Sequence, residues 1–379
     1  MRGIAVYPIQ WQGSVNKSTE PLRITLSKDQ QGRPLPPNQT ITAWGDIGVG
    51  YKAYDRMNGQ HNIYGVKHTR LYVDDQLIYN STINRFSFAN TRMLNTHTDY
   101  EDWRLRRSFY TKTFVEPGNR LPLYATTNKG IITINQERDY NIRYELEDHH
   151  GNVTRYAFVV KGEQQDINYG ELCNSFMPWS LHNSFVNSDF SLHIPSGNLY
   201  NSICYDHDVK PSTDYYSNIY TVHNHPVPLH NNAKMWLQLH TDTLENRQQY
   251  GIVTIARNGR ISWLGGSYKN GGMEASIREL GNTYAISSDQ TPPVITPLNP
   301  ANWAGNRHIR IRVNDNLSGV KEVRATINGD YILLKHDMKS PIYSYRFDNS
   351  RLQRGQQQLQ VIATDAAGNE TAYSYTFNY

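Results

Sequence analysis

Hydrophobic and polar residues alternate along most of this chain with a period of two. Ile309, Ile311 and Val313 alternate with two arginines, so one face of a strand would be apolar and the other would face water. Runs of the same kind occur at 70–73, 131–134 and 235–239. No window of about 15 residues combines apolar positions at helical spacing with a capping residue in front. The pattern predicts an all-β protein.

Turn signals separate the alternating runs. Asn-Gly pairs occur at 258–259, 270–271 and 328–329, and this dipeptide supplies the positive φ angles of tight hairpins. Tyrosine occurs 27 times, against 10 phenylalanines and 7 tryptophans. Tyrosine favours β-strands because its ring packs well on a pleated, half-buried surface. Alternating strands about ten residues apart, joined by such turns, predict tandem immunoglobulin/fibronectin-like β-sandwiches.

An internal repeat divides the chain. The five-residue segment 148–152 matches 365–369 as Asp-X-X-Gly-Asn, and each copy leads into an alternating aromatic strand. The Asp side chain accepts backbone hydrogen bonds, while Gly and Asn tolerate left-handed backbone angles. The residues assigned to these structural turns are Asp148, Gly151, Asn152, Asp365, Gly368 and Asn369.

The repeat predicts three domains. The first spans 1–162 and carries an insertion at about 89–139, rich in Asp, Arg and Tyr near its start. The third spans 289–379 and has prolines at positions 292 and 293 near its start, which stiffen a domain joint. The segment 163–288 matches neither copy and is predicted to be a middle β-sandwich.

Composition excludes several classes of protein. The length of 379 residues fits two or three domains, and 38% apolar residues can build real cores. The net charge of +4, from 38 basic and 34 acidic residues, is too balanced for an electrostatic nucleic-acid binder. No apolar stretch approaches the roughly 18 residues of a membrane helix. The first residues lack the apolar run and cleavage site of a signal peptide.

Two cysteines, Cys173 and Cys204, exclude a disulfide-rich scaffold and a thiolate zinc site. In an exported protein they could form one disulfide across the middle domain. Two buried thiols are an equally good interpretation. The sequence leaves both open.

The metal candidates are His223 and His225, with His230 as a third residue. Two histidines at positions i and i+2 of a strand share a face and could bind zinc. A catalytic zinc also needs a third ligand, an open water position and a general base, and two prolines interrupt this segment. A surface loop or edge strand is therefore favoured, and we expect no cofactor.

Calcium is conceivable where Asp and Asn cluster in the repeated turns, at 148–152 and 365–369. An EF-hand type of site needs five or more oxygens in a set order, and neither turn supplies them. Side-chain hydrogen bonds within the turn explain these residues without an ion.

Aromatic side chains could also stack on sugar rings. Most of them must be core residues or cross-strand pairs in a protein of this class. The sugar-stacking candidates are the tryptophans in loop-like surroundings, Trp179, Trp263 and Trp303.

The turn motifs carry a family resemblance over essentially the whole chain. They are Gly48-Val49-Gly50-Tyr51-Lys52-Ala53-Tyr54-Asp55, Pro117-Gly118-Asn119-Arg120-Leu121-Pro122-Leu123-Tyr124, the 148–152 turn, Ile194-Pro195-Ser196-Gly197-Asn198-Leu199-Tyr200, Pro228-Leu229-His230 and the entry at 289–293. Together they resemble the region downstream of the peptidase domain in lysostaphin-type zinc metallopeptidases of the Bacteroidetes cell envelope. The resemblance implies a location in the periplasm, cell envelope or outside the cell, a peptidase domain N-terminal to this region, and peptidoglycan or an envelope protein as partner.

The catalytic pattern of that family is missing. None of the 14 histidines has an Asp four residues on, and the lone His-X-His, at 223 and 225, lies far into the tail-like region. We therefore transfer no catalytic residue and expect a non-catalytic accessory region that positions a catalytic domain or docks a partner. Such a chain would be a truncated piece, a gene fragment or a paralogue without its peptidase. The alternatives are a glycan-binding module and a zinc peptidase.

Overall fold

A computed structural model describes residues 1–10, 12–55, 62–167, 173–348, 352 and 354–379. Strands dominate this part of the chain, as the alternation predicts. Across the same residues, no helix has the length and apolar character needed to cross a membrane.

The strands of the first region contribute to one β-sandwich. They are β1 (Gly3–Pro8), β2 (Ser14–Val15), β3 (Leu22–Thr25), β4 (Thr42–Lys52), β5 (His68–Val73), β6 (Gln76–Thr82), β7 (Thr111–Lys112), β8 (Tyr124–Thr126), β9 (Ile132–Ile134), β10 (Asp139–Glu147) and β11 (Val153–Gly162). The insertion adds the short helices α1 (Leu94–His97) and α2 (Tyr100–Arg106), with short 3₁₀-helices at Phe88–Met93 and Asn128–Gly130.

Strand β4 is shared between the two layers of this sandwich. Its first residues pair in parallel with β11 and antiparallel with β2, whereas its later residues pair with β1, β7 and β9. Gly45 lies at the change of layer with a φ of +77°, and a Cβ there would come within 2.3 Å of the Gln12 carbonyl oxygen. The bend therefore needs a glycine.

The middle region forms a larger sheet and a two-stranded ladder. Its strands are β12 (Phe176–Met177), β13 (Asn183–Val186), β14 (Phe190–Ile194), β15 (Ile203–Cys204), β16 (His207–Lys210), β17 (Ile219–Gln238), β18 (Tyr250–Ile255), β19 (Ile261–Gly265), β20 (Ser267–Lys269) and β21 (Gly272–Ser288). A single helical turn lies at Arg247–Gln249. The sheet order is β13-β14-β17-β21-β18-β19, with β16 on β17 and β20 on β21.

The long strands β17 and β21 hold this sheet together, and their pairing shifts register twice. The shifts fall between Val222 and Val227 and between Pro228 and Ala233. Strand β14 pairs with β17 beyond the second shift, and β16 pairs with it before the first. The apolar side chains of both halves meet in one core cluster. The bulged segment between the halves carries the His-X-His motif.

The last region is a sandwich of two four-stranded sheets. Its strands are β22 (Val294–Pro297), β23 (His308–Asn314), β24 (Val320–Ile327), β25 (Asp330–Ile332), β26 (Lys335–His336), β27 (Ile342–Arg346), β28 (Gln356–Asp365) and β29 (Glu370–Asn378). The helix α3 (Trp303–Asn306) follows a single turn at Pro300–Asn302. The sheet orders are β22-β23-β27-β26 and β25-β24-β28-β29.

Local details of the sequence prediction are confirmed in these strands. Ile309, Ile311 and Val313 are buried on β23, and the arginines between them are exposed. Asn328 and Gly329 take φ angles of 53° and 90° in the two-residue turn between β24 and β25. The chain is thus all-β, with tandem β-sandwiches of the immunoglobulin/fibronectin type. Three large core clusters lie at residues 4–160, 177–286 and 303–377. The domain boundaries given above stay predictions.

Candidate functional site

The insertion of the first region meets the middle region in an interface that we call the proximal joint. It consists of α1, α2 and the loops around them on one side, and of the bulged part of β17 with Tyr200 and Glu279 on the other. Helix α2 begins at Tyr100 because the Asp99 side chain accepts a hydrogen bond from the Asp102 amide at 3.1 Å. Acidic residues in its first turn and arginines in its last turn oppose the helix dipole.

Glu279 is the charged anchor of the proximal joint on the middle region. Arg104 donates to both of its carboxylate oxygens, at 2.8 and 2.6 Å, and Asn282 donates to one of them at 3.0 Å. Tyr100 donates to the same carboxylate. Burial alone would raise the pKa of Glu279, but these donors outweigh burial and hold that pKa below its usual value. A bidentate arginine pair of this kind fixes orientation as well as distance.

A second ion pair fixes the insertion to its own sandwich. Arg23 Nε donates to Asp99 Oδ2 at 2.7 Å, and the buried Tyr7 hydroxyl donates to the same oxygen at 3.1 Å. Burial works against the charge of Asp99, yet the hydrogen bonds and charge of Arg23 lower its pKa. Burial and the neighbouring carboxylate raise the pKa of Tyr7 well above its usual value, so this hydroxyl stays protonated.

Backbone and apolar contacts complete the proximal joint. Arg92 donates to the carbonyl oxygens of Leu229 and Arg278, both at 3.1 Å. Tyr200, from the middle region, is 3% exposed and packs in a cluster with Met93 and two leucines of the insertion. The Gly118 amide donates to the Tyr200 carbonyl at 2.8 Å. The contacts therefore combine charge, backbone hydrogen bonds and apolar packing.

A cleft of about 220 Å³ lies along this joint, with a mixed polar and charged lining. Its charged side chains already pair with one another: Lys112 contacts Glu116 at 2.5 Å, and Arg23 contacts Glu101 at 3.5 Å. Charges that are neutralised in this way hold the walls of the cleft together. We assign the cleft a structural role.

The three histidine candidates point to three different partners. His223 contacts Asp206 at 2.9 Å, His225 contacts Glu101 at 2.8 Å, and His230 contacts the Tyr200 hydroxyl at 3.0 Å. The hydrogen bond that His225 donates to the Glu101 carboxylate raises the pKa of His225, whereas burial lowers the pKa of His223 and of His230. In the described part of the chain these histidines do not form a three-ligand set. They serve the proximal joint and the bulge beside it.

The three tryptophan candidates differ in exposure. Trp303 is 2% exposed, its Nε1 donates to the Leu298 carbonyl at 2.9 Å, and its ring packs against Tyr375. In the folded domain its faces are covered, so it is a core residue and not a sugar platform. Trp179 is half-buried against the middle core. Trp263 is half-buried on β19, which ends the middle sheet.

Cys173 and Cys204 form a disulfide. The bond joins the start of the described middle region to β15, across 31 residues of sequence. It settles the alternative that the sequence leaves open.

A second interface, the distal joint, lies between the end of β21 and the turns of the last sandwich at 315–319 and 365–369. Here Asp289, Asp315 and Asp365 each place a carboxylate oxygen within 4.8 Å of the others. The sequence prediction named Asp365 as a turn residue and missed the other two as partners. The available signals were Asp289, two positions before the stiff Thr291-Pro292-Pro293 segment, and Asp315, four positions before Gly319 in a turn-like spacing.

Comparisons with known proteins identify one family match. Residues 174–289 match the model of the Zu5-like domain, so this part of the chain is similar to Zu5-like domains. A comparison with curated proteins finds no significant match.

Several solved structures align with most of this chain at low sequence identity. They include the fibronectin(III)-like modules of Clostridium thermocellum CbhA (10% identity, 97% of this chain and 93% of that chain, TM-score 0.16). A Ca²⁺-stabilized, ice-binding adhesin of an Antarctic bacterium aligns with 10% identity, 100% and 90% coverage and a TM-score of 0.16. A tetra-tandem repeat of a large adhesion protein aligns with 13% identity, 100% and 91% coverage and a TM-score of 0.22.

Proposed function

We propose that this chain is a non-catalytic structural module that holds β-sandwiches in a fixed arrangement and so positions an attached domain or docks a partner. The observation that carries this proposal is the proximal joint. Arg104, Tyr100 and Asn282 all converge on Glu279, and Arg92 spans two backbone carbonyls of the middle region. A linker between independent domains would leave such groups in water.

We propose that this chain is located outside the reducing cytoplasm. Disulfides persist in oxidising compartments and are rare in the cytosol, and the Cys173–Cys204 bond supports export to the periplasm, the envelope or the cell exterior. Such a location fits a module that acts on extracellular structures.

Pulsed electron paramagnetic resonance tests the fixed arrangement. Spin labels at Thr154→Cys and Ser262→Cys report on the first and middle sandwiches, because both positions are exposed. We expect one narrow distance distribution in the otherwise unchanged chain and a broad one after Glu279→Ala. The matched control is Arg324→Ala, which removes an exposed ion pair with Glu322 in the last sandwich and should leave the distribution narrow. A distribution that stays narrow after Glu279→Ala would contradict the role given to the joint.

The identity of the positioned domain rests on the sequence resemblance alone. On that basis we propose a lysostaphin-type zinc peptidase on the N-terminal side and peptidoglycan or an envelope protein as the target. Co-sedimentation of the purified chain with peptidoglycan sacculi measures docking. Zinc-dependent hydrolysis of cross-bridges by this chain alone would overturn the non-catalytic assignment.

Glycan binding is the second candidate function, and the position of Trp263 on an edge strand favours it. The Trp263 ring projects from the edge strand β19 over Gly251 of β18, and it does not belong to the core cluster of the middle region. Titration with soluble peptidoglycan fragments, read by tryptophan fluorescence, tests the idea. Binding that is lost in Trp263→Ala and kept in Trp179→Ala would support it, and flat titrations of the unchanged chain would exclude it.

A further inference from the structure

Three carboxylates from separate elements come together at the distal joint. Asp289 follows β21, Asp315 follows β23, and Asp365 is the last residue of β28. Asp289 is 2% exposed and Asp365 is 0% exposed. Their oxygens lie within 4.8 Å of one another, and the described residues contain no other group of this kind.

The charge of this cluster has no counterion within the described protein. No lysine, arginine or histidine of the described chain forms an ion pair with Asp289, Asp315 or Asp365. At the proximal joint, by contrast, each buried carboxylate has an arginine partner. Each carboxylate accepts N–H hydrogen bonds, but like charges this close still repel one another, so a positive group from outside the chain would stabilise the cluster.

An unpartnered buried oxygen points to the same conclusion. Asp315 Oδ2 accepts hydrogen bonds from the amides of Leu317 and Gly319, at 2.9 and 2.7 Å. Its other oxygen, Oδ1, is buried and has no hydrogen-bond partner, and the neighbouring Ser318 hydroxyl is in the same state. Buried polar atoms in folded proteins are nearly always satisfied, so this oxygen is available to bind a further ligand.

We propose that Asp289, Asp315 and Asp365 bind one Ca²⁺ ion that ties the end of the middle region to the last sandwich. The donors are hard carboxylate oxygens, without the nitrogen or sulfur ligands that zinc and copper prefer. Two oxygens bound to one Ca²⁺ at about 2.4 Å are at most about 4.8 Å apart. Water and backbone carbonyls complete the six to eight ligands that this ion usually takes.

The hydrogen bonds around the cluster show what the ion would stabilise. Asp289 Oδ2 accepts from the Ser318 amide at 2.9 Å, and its carbonyl accepts from the Asn369 side chain at 2.9 Å. Gln249 of the middle region donates to the same Asn369 at 2.6 Å. An ion on the three aspartates therefore acts directly on the contact between the two regions. This site does not depend on the proposed function.

Calcium titration of the full chain tests the proposal. The chain is stripped with EGTA, and CaCl₂ is titrated by isothermal calorimetry, with thermal unfolding in EGTA and in CaCl₂ alongside. We expect one ion per chain and a rise in the Tm of the last sandwich. Absence of heat and of any Tm shift at 10 mM CaCl₂, well above the roughly millimolar range of weak extracellular sites, would overturn it.

Two isosteric variants locate the ion. Asp315→Asn should weaken calcium binding at least tenfold, because it removes one of three charges and the unpartnered oxygen. Asp148→Asn, the equivalent change in the first copy of the repeated turn, should bind as the unchanged chain does. In EGTA, Asp315→Asn should melt no lower than the unchanged chain, since like-charge repulsion is relieved. Calcium binding that survives Asp315→Asn, or is lost in Asp148→Asn, would place the ion elsewhere and refute the assignment.

Discussion

The two copies of the Asp-X-X-Gly-Asn turn have the same local geometry in different surroundings. In the first, the Asn152 amide and side chain donate to Asp148 at 2.9 and 2.7 Å, and in the second Asn369 donates to Asp365 at 2.8 and 2.8 Å. The glycines at the fourth position of the motif, Gly151 and Gly368, both have a φ of 85°.

What differs is burial. Asn152 is exposed, whereas Asp365 is 0% and Asn369 is 7% exposed. Only the second turn adds hydrogen bonds to Gln249 and to the Asp289 carbonyl, and only there does the described chain gather three carboxylates. A turn that merely closes a hairpin in one copy is part of an interdomain contact in the other. The function of such a motif is therefore decided by what packs on it.

The largest expected effect is a difference in the loss of local stability between Asn369→Ala and Asn152→Ala. The first change removes hydrogen bonds to a buried carboxylate, a buried carbonyl and Gln249, so we expect a loss of about 3 kcal/mol in local stability. Asn152→Ala leaves its partners in contact with water, which replaces the lost hydrogen bonds, so it should cost about 0.5 to 1 kcal/mol. Amide hydrogen exchange in the β28–β29 and β10–β11 hairpins measures both. Equal losses would mean that burial does not distinguish the turns.

Replacing the glycines tests whether the local geometry is the same. Gly151→Ala and Gly368→Ala both place a Cβ at positive φ, which costs about 1 to 2 kcal/mol. At Gly368 the added atom would also lie 2.9 Å from Gln248 Oε1, the end of a flexible side chain that can move. We therefore expect similar losses in hairpin stability from hydrogen exchange. A much larger loss at Gly368 would show that the joint also constrains the backbone of the turn.

Gln249→Ala measures how much the middle region alone contributes to the stability of the second turn. This change leaves the second turn intact and removes one donor to Asn369, so we expect a loss of about 1 kcal/mol. Hydrogen exchange should report it in β28 and β29, and the first hairpin serves as an internal control. No loss in β28 and β29 would mean that water replaces Gln249 without cost.

The smallest effect concerns the pH dependence of the exposed turn. Hydrogen bonds from Asn152 lower the pKa of Asp148, so their stabilising effect is present above the ordinary Asp pKa and fades as pH falls through the lowered value. A carbon-detected NMR titration of the Asp148 carboxyl should give a midpoint below 3.8, the usual value. Asn152→Ala should move the midpoint back toward that value. An unchanged midpoint would exclude Asn152 as the cause.

The sequence by itself determined the local structure. Alternation of apolar and polar residues decides which face of a strand is buried, and β23 follows that rule at each position from Ile309 to Val313. Asn-Gly and Asp-X-X-Gly-Asn determine turns because a few adjacent residues supply both the hydrogen bonds and the backbone angles. These features depend on neighbours in the chain, and so they can be derived without knowing the fold.

Only the tertiary structure decided which distant residues meet. Glu279 contacts Arg104, which is 175 positions away in the sequence, and Asp365 lies beside Asp289 at the distal joint. Both contacts form because separate regions of the chain pack against one another. Burial, too, is a property of the assembled layers: Trp303 has loop-like neighbours in sequence but lies in a core. The charge balance of a site depends on long-range packing, since a carboxylate is paired or unpaired according to what the fold places beside it.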